Sequence, residues 1–144
     1  MCEPVPGSSV TREVIKIMPN IFLRTLLGCA AILAISFGAN AAQPFDSKAF
    51  QDAQSAGKII LIDVKASWCP MCAKQHPIIA GIEKEKPSLL VYEVDFDTAK
   101  DVLKRFRVQT QGTLIVFKGS AEVGRSTGDT DPAGIRALVA KGLQ

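Results

Sequence analysis

Two cysteines, Cys69 and Cys72, stand three residues apart directly after an apolar run that contains several β-branched residues. The run, residues 59–66, is typical of a buried strand, and a helix is predicted to begin at the first cysteine. Residues i and i+3 are neighbours on one face of a helical turn, so the two sulfurs can join in a small disulfide. A Cys-x-x-Cys pair between a strand and a helix indicates a redox-active dithiol.

Cys69 is the predicted nucleophile of the pair. At the start of a helix, unsatisfied N–H groups and the helix dipole favour negative charge, and the thiolate is the reactive form of cysteine. Pro70 fits the first helical turn, where its missing N–H costs little. Cys69 would attack a substrate disulfide and Cys72 would then release the reduced substrate; in reverse, the pair would oxidise a partner. The alternative is an inert disulfide or two buried cysteines.

The residues around the pair resemble the thioredoxin family over about residues 45–142. Trp68 precedes the first cysteine, Asp63 lies six residues before it, and Pro77 lies five residues after the second. The resemblance implies an α/β, thioredoxin-like fold with a central mixed β-sheet flanked by helices. It also implies a thiol–disulfide oxidoreductase whose dithiol carries the electrons, so no tightly bound cofactor is expected.

The resemblance assigns roles to two neighbours of the dithiol. Asp63 would accept the proton of Cys72, and Trp68 would form a surface platform beside the active site. A carboxylate in an apolar strand is costly to bury, and burial raises its pKa towards the range of a general base. The alternatives are a solvated Asp63 at the strand end and a Trp68 packed in the core.

Two charged residues depart from the family pattern. Lys65 stands where the family often has an aromatic residue, and Glu93 stands where thioredoxin has a lysine on the next strand. Lys65 is two residues from Asp63 and on the same strand face, so we expect it to pair with Asp63, to favour the Cys69 thiolate, or to lie in solvent. The ion pair around the buried aspartate is therefore expected to be rearranged.

Gly112 is the main departure, because it stands where the family has a cis-proline facing the dithiol. A non-proline cis bond costs roughly 2.5–4 kcal/mol, so we expect a trans bond between Gln111 and Gly112 and a looser loop. Gln111, Gly112 and Thr113 are the predicted substrate loop, with an ordinary flexible turn as the alternative. Trp68 and Pro70 complete the predicted substrate-binding residues.

His76, the only histidine, lies four residues after Cys72 and on the same predicted helix face. It is a candidate to tune the thiols or to join them around a metal. Together with Cys69 and Cys72 it makes three ligands, one fewer than a structural zinc site needs, so no metal site is predicted. A metal-binding or chaperone-like envelope protein is the alternative from a different functional class.

Residues 1–41 are predicted to be an N-terminal extension with a secretory signal peptide, and residues 42–144 the thioredoxin-like domain. From Met18, a short basic segment precedes an apolar run at residues 25–37 and a small-residue cleavage site at residues 39–41. The run is shorter than the roughly 20 residues of a spanning helix. A periplasmic protein is expected, with an uncleaved anchor or a lipoprotein modified at Cys29 as alternatives.

Charge narrows the range of partners. The chain has 144 residues, a net charge of +3 and no Lys/Arg cluster interleaved with aromatic residues, so no nucleic acid is expected. The expected partners are protein thiols and disulfides, with a membrane thiol reductase as candidate electron donor, and a monomer is the expected state. The expected direction of the reaction is reduction of substrate disulfides, and the alternative is an oxidant that forms disulfides. A proline after the first cysteine, like Pro70, occurs in reducing and in oxidising members of the family, so it does not decide the direction.

Hydrophobic patterns and turn residues predict alternating strands and helices, which is the arrangement of an α/β protein. The predicted strands are residues 59–66, 89–95, 113–118 and 121–127. The predicted helices are residues 47–55, capped by Asp46 or Ser47, residues 69–86, a short helix from Asp97 or Thr98 to residue 106, and a last helix capped by Asp129 or Asp131 and ending at residue 141.

Overall fold

The computed structural model describes residues 41–144, so nearly all of the predicted signal peptide, including Cys29, lies outside the described residues. The described part forms five strands and four helices. In chain order they are β1 Gln43–Pro44, α1 Ser47–Ser55, β2 Ile59–Lys65, α2 Pro70–Glu85, β3 Leu89–Asp95, α3 Lys100–Phe106, β4 Thr113–Lys118, β5 Ala121–Thr127 and α4 Pro132–Leu143.

The five strands form one mixed sheet in the order β1-β3-β2-β4-β5. Strands β1, β3 and β2 run parallel, whereas β4 pairs antiparallel with β2 and β5 pairs antiparallel with β4. The predicted α/β fold with a central mixed sheet is confirmed. Strand β2 lies at the centre of the sheet, and its carboxyl end leads directly into the two cysteines.

Side chains alternate between the two faces of β2, and each face contributes to a different part of the core. Ile60, Ile62 and Val64 pack with helices α1 and α3 against a group of aromatic rings. These rings are Phe45, Phe50, Tyr92, Phe106 and Phe117, with neighbouring centroids 5.4–6.2 Å apart. Leu61 points the other way and packs with aliphatic residues of α2 and α4. Asp63 lies two residues after Leu61 and therefore points to the same side of the sheet, towards α2.

Most element boundaries agree with the predicted ones to within a few residues, because local capping groups fix them. Asp46 caps α1 by accepting a hydrogen bond from the Ala49 N–H at 2.7 Å. Asp131 caps α4 by accepting one from the Gly134 N–H at 3.0 Å. Side-chain caps of this kind satisfy N–H groups that the first helical turn leaves free.

The start of α3 was predicted wrongly. Neither Asp97 nor Thr98 caps this helix, which begins at Lys100 after Ala99, a residue without a side-chain capping bond. The Asp95 carboxylate accepts hydrogen bonds from the N–H groups of Asp97 and Thr98, at 3.0 and 2.8 Å, and thereby forms a turn before the helix. Strand β1, two residues long, was also not predicted. Between residues 41 and 144, no helix is both long and apolar enough to cross a bilayer.

Candidate active site

The two cysteines form a disulfide at the N-terminus of α2. Their Cα atoms are 5.3 Å apart, and both side chains are buried. Cys69 is the N-cap residue, and its Sγ accepts a hydrogen bond from the Cys72 N–H at 3.1 Å. Pro70 is exposed at the first helical position, where no N–H is needed. The same N–H group and the helix dipole are in place to stabilise a Cys69 thiolate after reduction.

Asp63 lies buried beneath the disulfide, with 4% of its surface exposed. Its Oδ1 atom has no hydrogen-bond partner. Burial is the main reason that the pKa of Asp63 rises from its usual 3.8 to about 6, and the nearby Glu93 carboxylate raises it further. Lys65 and His76 act in the opposite direction. Asp63 is therefore a buried carboxyl group and not a solvated strand end.

A cavity of about 280 Å³ connects this carboxyl group with the disulfide. Its side walls come from the end of β2, the start of α2 and the end of β3. The charged and sulfur-bearing residues that line it are Asp63, Lys65, Cys69, Cys72, His76 and Asp95. Water in this cavity can carry protons between the buried carboxyl group, the sulfurs and the surface.

Lys65 pairs with Glu93 instead of Asp63, with 2.6 Å between Nζ and Oε2. Glu93 is the register partner of Asp63 on the neighbouring parallel strand, so the two carboxyl groups lie side by side on one sheet face. Lys65 follows two residues later on that face and neutralises Glu93. Of the alternatives for Lys65, pairing with Asp63 is wrong. The ion pair near the buried aspartate is rearranged, as expected, and among residues 41–144 Asp63 has no ion-pair partner.

Trp68 is a surface residue, since 58% of it is exposed beside the buried disulfide. Its indole Nε1–H donates a hydrogen bond to the Asp97 carboxylate at 2.8 Å, which fixes the ring against the turn after β3. The alternative of a core tryptophan is therefore wrong. The position agrees with a platform next to the dithiol.

The loop at Gly112 lies near the Cys72 sulfur. No cis peptide bond occurs in residues 41–144, and Gly112 has a φ of +70°, a left-handed conformation that glycine adopts without steric cost. Its N–H donates to the Val64 carbonyl at 2.7 Å, and its carbonyl accepts from the Gly128 N–H at 2.9 Å. The trans bond was predicted correctly. The predicted looseness was wrong, because hydrogen bonds to the neighbouring segments hold the loop on both sides.

The other two loop residues differ in exposure. Gln111 is half-buried, whereas Thr113 is buried at the start of β4. The Thr113 hydroxyl donates to the Thr110 carbonyl at 2.7 Å and lies 3.0 Å from the Thr127 hydroxyl. The side chain of Thr113 therefore serves the loop itself, and its predicted role in substrate binding stays a prediction.

The thioredoxin family profile matches residues 41–141. This chain belongs to the thioredoxin family. It is 34% identical over 94 residues to the thioredoxin of Echinococcus granulosus, covering 65% of this chain and 87% of that protein. It is 32% identical over 99 residues to thioredoxin-1 of Saccharomyces cerevisiae, covering 69% and 90%. The crystal structure of Trxlp from Edwardsiella tarda EIB202 superposes with a TM-score of 0.66 at 37% identity, covering 69% of this chain and 98% of that one.

The chain is thus a thioredoxin-type thiol–disulfide oxidoreductase, and protein disulfides are its class of substrate. The geometry suits that chemistry, because a disulfide at a helix start shares a cavity with a buried carboxyl group of raised pKa.

His76 lies at the exposed edge of the cavity, on the same helix as the disulfide. Among residues 41–144, no group of three or more His, Cys, Asp or Glu side chains comes together in a way that could hold a metal ion. The described part of this thioredoxin therefore offers no support for the alternative of a metal-binding protein.

One polar residue of the site was not predicted. Gln75 is completely buried in α2, one turn after Cys72. Its Nε2 donates to the carbonyls of Gly112 at 3.1 Å and Asp129 at 2.7 Å. The sequence did contain a signal, because Gln75, Ile79 and Ile82 follow a helical i, i+4, i+7 spacing that marks the inner face of α2.

Proposed function

We propose that this thioredoxin is an exported reductant that passes electrons from its Cys69–Cys72 dithiol to protein disulfides in the bacterial envelope. The observation that carries the proposal is the shared cavity, in which the disulfide lies beside carboxyl groups. The alternative is an oxidant that introduces disulfides with the same cysteines.

The surroundings of the sulfurs support the reducing direction. A dithiol becomes oxidising when its reduced form is strongly stabilised, as a thiolate surrounded by donors and positive charge would be. Here the Cys69 sulfur receives one hydrogen bond, from the Cys72 N–H, and the carboxyl groups of Asp63 and Asp95 line the same cavity. Negative charge near a thiolate disfavours it, which shifts the balance towards the disulfide and makes the dithiol a better electron donor.

The reaction would proceed through a mixed disulfide. The Cys69 thiolate attacks one sulfur of the substrate disulfide, and the other substrate sulfur leaves with the electron pair and takes a proton. Asp63, ionised at neutral pH, removes the proton of the Cys72 thiol, and the new thiolate attacks the Cys69 sulfur. That step releases the second substrate thiol and forms the Cys69–Cys72 disulfide. A pKa of about 6 gives Asp63 more basicity than an ordinary aspartate, which suits a general base.

The reduction potential of the purified protein, measured in glutathione or dithiothreitol buffers, tests the direction. A value near about −270 mV or below is expected, the range of thioredoxin-type reductants. A value near about −120 mV is that of a strong oxidant and would contradict the reducing direction. A Cys69→Ser variant serves as the control, because it must show no two-electron couple at this site.

Export is supported by the sequence pattern before the domain, in which an apolar run at residues 25–37 precedes small residues at 39–41. The test is to express the full chain in a bacterium and to determine the mass of the protein in the periplasmic fraction. Cleavage that leaves Ala42 as the first residue is expected. A chain that stays in the cytoplasm with an intact N-terminus would contradict export while leaving the redox chemistry untouched.

Substrates and electron donor can be approached with one trapping variant. In Cys72→Ser the mixed disulfide cannot resolve, because the second attacking thiol is missing. Envelope proteins linked to Cys69 are expected to accumulate and to separate after treatment with a reductant. For the donor we propose a membrane thiol reductase, and deletion of such a reductase should leave the protein oxidised in cells.

A further inference from the structure

The Gln75 side chain carries an oxygen that has no hydrogen-bond partner among residues 41–144. Both hydrogen bonds of its amide come from Nε2, which donates to the carbonyls of Gly112 and Asp129. Oε1 is buried and accepts no hydrogen bond. Buried carbonyl oxygens are nearly always satisfied, so an orphan at a reactive site calls for a functional explanation.

The orphan oxygen and the sulfur of the second cysteine both lie within 4 Å of one point beside Gly112. A Cβ atom built on Gly112 would lie 3.6 Å from Gln75 Oε1 and 3.9 Å from Cys72 Sγ. The two atoms therefore border the same small space beside Gly112, where the family pattern has a proline ring. Gln75 also follows Cys72 by three residues in α2, so both side chains emerge on one side of the helix.

Reduction changes what the Cys72 sulfur offers to this oxygen. In the disulfide, Sγ has no hydrogen to donate. When two glutathione molecules reduce the protein, the S–S bond breaks, its sulfurs take up two electrons and two protons, and the glutathiones leave as one disulfide. Cys72 then carries an S–H group, which is a weak hydrogen-bond donor.

We propose that Gln75 Oε1 accepts a hydrogen bond from the Cys72 thiol in the dithiol and in the mixed disulfide. Gln75 is a positioning residue in this scheme. Nε2 fixes the loop at Gly112, and Oε1 holds the Cys72 thiol in place until Asp63 takes its proton. The bond exists only after the disulfide opens, so it stabilises the reduced protein relative to the oxidised one.

The direct test is the S–H stretching band of Cys72 in the infrared spectrum. The sample is the full chain with Cys2, Cys29 and Cys69 replaced by serine, so that Cys72 is the only thiol. In the folded protein, the band is expected at a lower frequency than in the same protein unfolded by denaturant. If the folded band coincides with the unfolded one or lies above it, Cys72 has no acceptor stronger than water and the proposal is wrong. This comparison requires no change at Gln75.

A Gln75→Met variant assigns the acceptor. Methionine is similar in length but lacks the amide, so the S–H band is expected to move to the frequency of the unfolded protein. With both active cysteines restored, the equilibrium constant for reduction by glutathione should fall about threefold, equivalent to a potential about 14 mV lower. An unchanged band or an unchanged constant in a folded variant would overturn the proposal.

The control separates the acceptor from the anchoring of the loop. Thr113→Val removes the hydroxyl that bonds the Thr110 carbonyl, so it disturbs the same loop and leaves Gln75 intact. The S–H band of Cys72 is expected to stay where it is in the unsubstituted protein. If Thr113→Val moves the band as far as Gln75→Met does, the effect comes from the loop and Gln75 is not the acceptor.

Discussion

Folding and the redox reaction favour different properties of the side chain at position 63. Folding would favour a neutral side chain there, because it is buried and its Oδ1 has no partner. The reaction needs a group that can take a proton near neutral pH. Burial raises the pKa of Asp63 to about 6, so the same environment that destabilises the carboxylate makes it a better base.

The pKa of Asp63 predicts a pH-dependent stability. Below the usual value of 3.8 the carboxyl group is protonated in both the folded and the unfolded chain, so no penalty arises. Between about 4 and 6 the unfolded chain ionises first, and the free energy of unfolding falls as the pH rises. Above the folded-state pKa of about 6 the loss is complete and amounts to about 3 kcal/mol.

The substitution Asp63→Asn should remove that penalty. At pH 7 we expect the free energy of unfolding to rise by about 2 kcal/mol, since the neutral amide must still be desolvated. The gain should shrink as the pH falls towards 4, and denaturant unfolding at both pH values measures it. The rate of disulfide release should drop about 100-fold or more, because the general base is lost. A variant less stable than the unsubstituted protein at pH 7 would contradict the buried-charge argument.

The second carboxyl group gives a separate prediction. Glu93 raises the pKa of Asp63, and Lys65 lowers it. In Glu93→Gln the opposing negative charge is gone and Lys65 is freed from its partner, so the pKa of Asp63 should fall. Carboxyl titration by NMR measures the shift. Glu85→Gln, which changes an exposed carboxylate paired with Arg136, is the control and should leave the Asp63 titration unchanged. A pKa of Asp63 that stays near 6 in Glu93→Gln would contradict the coupling.

At the scale of elements, the sequence predicted those helices, strands and caps that are determined by residues close together in the chain. The strand β2, the start of α2 at the cysteines and the caps Asp46 and Asp131 follow from residues within a few positions of each other. The short strand β1 did not follow, because its two residues are held by pairing with β3 and not by a pattern of their own.

Contacts between elements account for the remaining differences. The Lys65–Glu93 pair depends on the register of β2 against β3, and this register cannot be predicted from a single sequence. The anchoring of Gly112 likewise depends on Val64, Gln75 and Gly128, which the topology brings together from three distant segments. Single-sequence reasoning found the reactive pair and the buried acid, but not the partners that hold them.

The loop at Gly112 predicts that restoring the family residue is harmful. In Gly112→Pro the ring requires a φ near −65°, whereas this position has +70°, and the N–H that bonds the Val64 carbonyl is lost. We expect a loss of about 3 kcal/mol or more in the free energy of unfolding. Gly112→Ala keeps the N–H and should lose only about 1–2 kcal/mol, the cost of a left-handed residue with a Cβ. If Gly112→Pro matched or exceeded the stability of the unsubstituted protein, the glycine-specific loop would be refuted.

At the scale of the whole domain, one face of the sheet packs the aromatic core and the other face carries the charged residues near the disulfide. The face towards α1 and α3 buries the aromatic cluster and contains none of the cavity residues around the disulfide. The face towards α2 carries Asp63, Lys65 and Glu93 near the dithiol. The central strand belongs to both, because alternate residues point to opposite sides. A rigid aromatic layer thus supports a strand whose other side holds an unpaired carboxyl group.

This division predicts that the core can be weakened without changing the redox couple. Phe50 is buried against Tyr92, Phe106 and Phe117, so Phe50→Ala should lower the free energy of unfolding by about 3–5 kcal/mol. The reduction potential of the folded variant should stay within error of the unsubstituted protein, since no aromatic ring of this cluster lines the disulfide cavity. The exposed Leu143→Ala is the control for stability, with an expected change within about 0.5 kcal/mol. A changed reduction potential in Phe50→Ala would contradict this division. It would mean that a packing change on one face of the sheet alters the environment of the sulfurs on the other face through β2.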